Sequence, residues 1–162
     1  MAKLSKITPC LWFDSQAEEA ARFYVSLFDD SGIEDIGYYG EAGKEFHGRE
    51  AGSVLTVQFR LAGQTYTALN GGPMFPFTEA ISLQIFCDTQ AEIDKYWSGL
   101  TKDGGSESQC GWLKDKFGLS WQVVPSEIGA LMKGPNTEQV MGAVFTMKKL
   151  DLEALRRAAA GK

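Results

Sequence analysis

Histidine is nearly absent from this chain: His47 is the only one in 162 residues. The three cysteines, Cys10, Cys87 and Cys110, are an odd number, and none forms a Cys-x-x-Cys motif or a Cys/His pair at zinc-like spacing. Free thiols in a reducing cytoplasm are expected, so cytoplasmic localisation is the expectation. Basic surplus is missing too, with 16 Lys and Arg against 21 Asp and Glu and a net charge of −5. Nothing is left over to neutralise phosphates, which excludes nucleic acid and anionic membrane as partners. No apolar run approaches the roughly 18 residues that span a bilayer, and residues 1–7 lack a signal-type apolar core. A Gly-x-Ser-x-Gly elbow and a dinucleotide fingerprint are both lacking, and Asn70-Gly71-Gly72-Pro73 is a turn rather than a phosphate-cradling loop before a helix.

What is present is an ordinary globular composition, 44% hydrophobic and 23% charged, enough for one compact domain over residues 1–162. Residues 7–13 form an apolar strand that runs into Ser15-Gln16-Ala17-Glu18, a capping-box pattern. The helix that follows carries Ala20, Phe23, Tyr24 and Leu27 on one face. Residues 81–87 repeat the strand, Thr89-Gln90-Ala91-Glu92 repeats the box, and Ile93, Tyr96, Trp97 and Leu100 repeat the face. The boxes lie 74 residues apart and the faces 73, a duplicated half-domain with a slip of one position.

Strands at 33–39, 54–61 and 64–70 complete the first half, with Ala62-Gly63 as a hairpin turn. Strands at 106–109, 111–113 and 119–124 complete the second. In the last pair, Asp115-Lys116-Phe117-Gly118 forms the turn: Asp bonds its own backbone and Gly takes positive φ. The fold class is therefore α+β: two βαβββ modules, at 4–73 and 79–125, with C-terminal helices over 126–160. One helix per four strands covers a single sheet face, so the two curved mixed sheets should enclose a cavity with the other.

Alternation selects the cavity wall. Leu55, Val57, Phe59 and Leu61 share the apolar face of their strand, and Gln58 and Arg60 point the other way. The second half contributes Ser82, Gln84, Ser120 and Gln122, while Trp12 and Trp121 should pack beneath helices and Trp97 belongs to the core. Convergent polar groups in apolar walls suit a small-molecule pocket; equally, the glutamines could satisfy only one another and water. Of the four tryptophans only Trp112 is a candidate for the cavity or its rim, because the short strand before Asp115 does not fix its direction. Cys110 is a small buried residue unless Lys114 activates it.

The Gly-rich loop 40–52 is either a mobile lid or a dispensable loop, and His47 within it either reaches the cavity or is solvated. Near the C-terminus, Val140, Ala143, Val144 and Met147 form a stripe, with Met141 and Phe145 beside it. That stripe packs between subunits or seals one half-barrel.

The run Gly111-Trp112-Leu113-x-Asp115-x-Phe117-Gly118-x-x-Trp121-Gln122, with Asn70-Gly71-Gly72-Pro73 and Met147-Lys148-Lys149-Leu150-Asp151, resembles the PhnB-like branch of the vicinal-oxygen-chelate (glyoxalase/bleomycin-resistance/dioxygenase) superfamily. Members of that branch often carry a ubiquinone-type methyltransferase label, yet Asp14-Ser15-Gln16-Ala17-Glu18 stands where such an enzyme would hold its Gly-rich cofactor loop. The resemblance implies four metal-ligand positions, on the first and last strand of each half. Carried over by spacing, these fall on Pro9, on Ala68 or a neighbour with Asn70 the nearest polar group, on Ser82 and on Gln122. None is a hard anionic donor, so no metal and no cofactor are expected.

The resemblance further implies a homodimer. The expected function is metal-independent binding of an unidentified small molecule by Gln58, Arg60, Asn70, Ser82, Gln84, Trp112, Ser120 and Gln122. The alternative is a metal-dependent lyase, isomerase or dioxygenase of the same superfamily.

Overall fold

The computed structural model describes residues 4–162, which divide into two compact units, the first ending at Pro76 and the second running from Phe77 to Lys162. In the first unit, β1 (Cys10–Phe13) leads through a short turn into α1 (Ala17–Leu27), followed by β2 (Gly32–Tyr38), α2 (Lys44–His47), β3 (Val54–Leu61) and β4 (Gln64–Asn70). The sheet order is β1-β4-β3-β2, with β1 parallel to β4 and the other pairs antiparallel. The Ala62-Gly63 turn holds both residues at positive φ, +46° and +80°, the handedness that a two-residue hairpin needs.

The second unit repeats the plan: β5 (Ser82–Cys87), α3 (Gln90–Thr101), β6 (Ser106–Glu107), β7 (Trp112–Lys114) and β8 (Ser120–Pro125) form a sheet of order β5-β8-β7-β6. Each unit is thus a four-stranded mixed sheet with a helix on one face, the α+β arrangement expected. Val57, Phe59 and Leu61 of the first sheet are buried with Tyr24 of α1, and Trp121 and Val123 of the second with Ile93 and Trp97 of α3. The opposite faces carry Gln58 and Arg60 in one sheet and Ser82, Gln84 and Gln122 in the other, as alternation requires.

The turn between β7 and β8 is built on Asp115. Its backbone N–H donates to the Leu119 carbonyl at 2.9 Å, and its Oδ1 accepts from the backbone N–H groups of Phe117 and Leu119. Gly118 closes the turn at φ +87°. The second carboxylate oxygen accepts from Trp121 Nε1 at 2.9 Å, which ties the turn into the core.

Three C-terminal helices, α4 (Ile128–Leu131), α5 (Thr137–Thr146) and α6 (Leu152–Ala159), belong to the second unit. Val140, Leu150, Leu155 and Ala158 form a cluster with Val124 of β8, and Ala143, Val144 and Met147 pack against it. The apolar stripe of α5 therefore lies against its own module, while Phe145 is 65% exposed on the adjoining side. Asp151 caps α6 by accepting from Ala154 N at 2.9 Å.

Four expectations need correction. The loop 40–52 contains a helical turn, α2, between Gly43 and Gly48, both at positive φ. Within it His47 lies against the Tyr39 ring, at 4.5 Å between centroids, and its Nδ1 accepts from Arg49 N. The first strand begins at Cys10 rather than at residue 7. Ser15 does not cap α1; Asn70 does, from β4, with Oδ1 accepting from Ala17 N at 2.8 Å.

Trp12, finally, points away from α1. It sits on the face opposite Leu11 and Phe13, donates from Nε1 to the Gly72 carbonyl and meets Phe75 edge-on at 4.9 Å. A Cβ on Gly71 would stand 2.2 Å from this indole. Gly71→Ala is therefore expected to displace Trp12 and to cost about 1–3 kcal/mol, read from denaturant midpoints and tryptophan emission.

Candidate functional site

Two strand pairs place the polar groups of the second unit. In the β5–β8 ladder, Ser82 lies opposite Ser120 and Gln84 opposite Gln122. In the β7–β8 ladder, Trp112 lies opposite Gln122 and Lys114 opposite Ser120. Residues directly opposite share a face, so Ser82, Gln84, Trp112, Lys114, Ser120 and Gln122 all stand on the face away from α3.

The amides are connected: Gln122 Nε2 donates to Ser82 Oγ at 2.9 Å, and Gln84 Nε2 approaches Gln122 Oε1 at 3.5 Å. Gln122 is thereby held between its neighbours, while Gln84 is exposed and Trp112 half-buried. Ser120 differs from the rest. It is 1% exposed, and its Oγ has no hydrogen-bond partner.

The first unit is arranged differently. Arg60 is engaged by Asp30 at 3.3 Å and by Glu34, so its charge is already met within the sheet. Gln58 is half-buried beside Thr67 and Asp35. Asn70 is 5% exposed and spends its amide on the chain itself: Oδ1 caps α1, and Nδ2 donates to the Val54 carbonyl at 3.1 Å. It supports the fold and offers no free group to a pocket.

The ladders also fix the register between halves. Cys10 pairs with Thr67 as Gln84 pairs with Gln122, and Phe13 pairs with Asn70 as Cys87 pairs with Pro125. Strand positions therefore correspond at 74 residues, Phe13 to Cys87, whereas the helices begin 73 apart, at Ala17 and Gln90. One extra residue sits in the turn after β1. It explains both the slip in the repeat and the failure of Ser15 to cap.

The consequence reaches the ligand positions. The strand counterpart of Ser82 is Thr8, one residue before Pro9, and that of Gln122 is Thr67, a neighbour of Ala68. Ala68 is fully buried beneath α1, and the Pro9 carbonyl is bound by Thr67 N. These four corresponding strand positions carry Thr8, Thr67, Ser82 and Gln122: three hydroxyls and an amide. Such a set lacks the imidazole and carboxylate donors that hold a divalent ion tightly. Among the described residues no three His, Cys, Asp or Glu side chains come together in a metal-binding group.

The thiols offer no activated nucleophile. Burial, followed by the charges of Glu92 and Asp88, pushes Cys87 up to about 12, and burial raises Cys10. Lys114, the cation considered for Cys110, is taken by Glu79 at 2.5 Å. Cys87 is accordingly expected to resist iodoacetamide at pH 8 in the folded protein and to react once denaturant is added.

Sequence reasoning missed Thr8, Thr67 and the Glu79–Lys114 pair. The repeat read strand by strand, rather than through its helices, carries the signal for the first two. The ion pair has none, because its partners are brought together only by the sheet.

Among the described residues, no helix is long and apolar enough to cross a membrane. Comparison with known proteins matches residues 5–124 to the family described as 3-demethylubiquinone-9 3-methyltransferase. A PhnB protein from Bacillus cereus is 37% identical, with a TM-score of 0.65, over 74% of this chain and 99% of its own. Protein PA1353 from Pseudomonas aeruginosa shares the fold at 20% identity and a TM-score of 0.59, over 75% of this chain and 98% of its own. No curated protein matches the chain. Identity and coverage to the Bacillus protein, with the family match across both modules, place the chain in the family described as 3-demethylubiquinone-9 3-methyltransferase, together with that PhnB protein.

Proposed function

We propose that the protein binds a small organic molecule without a metal, on the polar face formed by Ser82, Gln84, Trp112, Ser120 and Gln122. One observation carries this reading: the positions that hold metal in the wider superfamily bear neutral side chains, two of which, Ser82 and Gln122, are hydrogen-bonded to each other. Amides and hydroxyls beside an indole are the lining that orients a small polar ligand. In the first unit, Gln58 stands on the face of its own sheet away from α1, and Arg60 on the same face has its charge already paired.

The family's methyltransferase description is not adopted for this chain. A Rossmann-type methyl-donor site needs a parallel doubly wound sheet and a Gly-rich loop opening onto a free helix N-terminus. Here the sheets are mixed and four-stranded, the turn after β1 reads Asp14-Ser15-Gln16, and the first N–H of α1 is taken by Asn70. The residues present do not fit that cofactor.

A homodimer in the cytoplasm completes the proposal. The exposed aromatics Phe86 and Phe145, at 58% and 65%, support a partner surface. Sedimentation is expected to give a dimer, and Phe145→Ser to weaken it. Two donors restored together, Ser82→His with Gln122→Glu, are expected to raise Ni²⁺ and Zn²⁺ affinity by at least tenfold, measured by calorimetry. Unchanged affinity would place the superfamily positions elsewhere.

A further inference from the structure

We propose that the open face of the second unit contains a carboxylate subsite, with Glu79 as its internal occupant and a small aromatic carboxylic acid as the ligand that replaces it. The proposal rests on the binding face described above and names the class of molecule it takes.

Ser82, Ser120 and Lys114 form one row across β5, β8 and β7. Glu79 enters from the far end of that row, three residues before Ser82, in a segment with no regular structure. Adjacent strands lie about 4.8 Å apart, so Lys114 starts two strand spacings from β5. Lys114 Nζ meets the Glu79 carboxylate at 2.5 Å, so the pair ties the segment before β5 to β7, the strands on either side of β8. Directly opposite Lys114, the Ser120 hydroxyl is buried and lacks a hydrogen-bond partner, a costly state for a polar group.

The geometry is that of a carboxylate held on one side and left unmet on the other. Lys114 donates to Glu79 and keeps its carboxyl below the usual carboxylate range, chiefly through that hydrogen bond. Ser120 offers a second donor that Glu79 does not take. A free carboxylate entering from solvent accepts from both, which the tethered Glu79 fails to do.

Displacement is cheap, since the side chains of Glu79 and Lys114 are 62% and 40% exposed and such pairs are weakly held. Trp112 stands two residues from Lys114 on the same strand face and is half-buried, positioned to take the flat side of a ring attached to the acid. Gln122, directly opposite Trp112, borders the same space with its amide.

The test is a titration of ¹⁵N-labelled protein with benzoate and, as neutral isostere, benzamide. Benzoate is expected to shift the amide signals of Lys114, Ser120 and Gln122 saturably, at least tenfold more tightly than benzamide. Glu79→Gln, an exposed change, is expected to tighten benzoate binding roughly two- to fivefold by removing the competitor. Lys114→Met is expected to weaken it at least tenfold.

Equal affinity for benzoate and benzamide, shifts confined to another surface, or unchanged benzoate affinity in Glu79→Gln would each overturn the proposal. A neutral metabolite that bound at Gln122 while benzoate did not would remove the carboxylate subsite and leave the broader binding reading standing.

Discussion

Asp115→Ala is expected to cost the second unit about 4 kcal/mol. The carboxylate is 2% exposed and accepts three hydrogen bonds, from Phe117 N, Leu119 N and Trp121 Nε1. Hydrogen bonds to charged groups are worth roughly 1.5–3 kcal/mol each, and a buried donor left unmet costs about 1–3 kcal/mol. Because the turn orients β7 against β8, the loss also loosens the strands that carry Trp112, Lys114, Ser120 and Gln122.

Asp115→Asn keeps an acceptor for the two backbone groups and turns an NH₂ towards the indole N–H, so about half the loss is expected. Urea denaturation followed by tryptophan emission measures both. A cost below 1 kcal/mol for the alanine variant would show that the turn holds without its aspartate.

Asn70→Leu is expected to cost about 3 kcal/mol. The side chain caps α1 through Ala17 N and holds Val54 O, both from a buried position. Losing an N-cap costs about 0.5–2 kcal/mol, and the unsatisfied carbonyl adds to it. Ser15→Ala is the control and is expected to change stability by less than about 0.5 kcal/mol, since it lies on the exposed turn. In the other half the relation reverses: Thr89 caps α3 by accepting from Glu92 N, and Thr89→Ala should cost about 1 kcal/mol. Equal effects for Ser15 and Thr89 would contradict the one-residue difference between the turns.

That difference marks the boundary of what the sequence discloses. The two capping boxes look alike as strings, and the helices that follow bury matching faces, Ala20 and Tyr24 in one, Ile93 and Trp97 in the other. Local chemistry was enough for these, as it was for the Asp115 turn and the polar alternation of β5 and β8. What escaped depends on contacts distant in sequence. Asn70 lies 53 residues from the N–H it caps, and nothing in a local window distinguishes it from a turn asparagine.

The direction of Trp12 was misjudged. In β1 it is Leu11 and Phe13 that are buried, so strand alternation turns Trp12 to the other face. The helical turn in 40–52 was hidden by its glycines, which here flank α2 at positive φ rather than loosening the segment. Glu79 and Lys114 carry no signal at all until the sheet order places them across one strand.

The most direct measurement is a thermal-shift screen of small metabolites with and without EDTA, paired with elemental analysis of the purified protein. The account predicts no stoichiometric metal and at least one metabolite that raises the melting temperature equally in both buffers, an effect lost in Gln122→Ala. One equivalent of tightly bound divalent ion, with every stabilising metabolite silenced by EDTA, would contradict it.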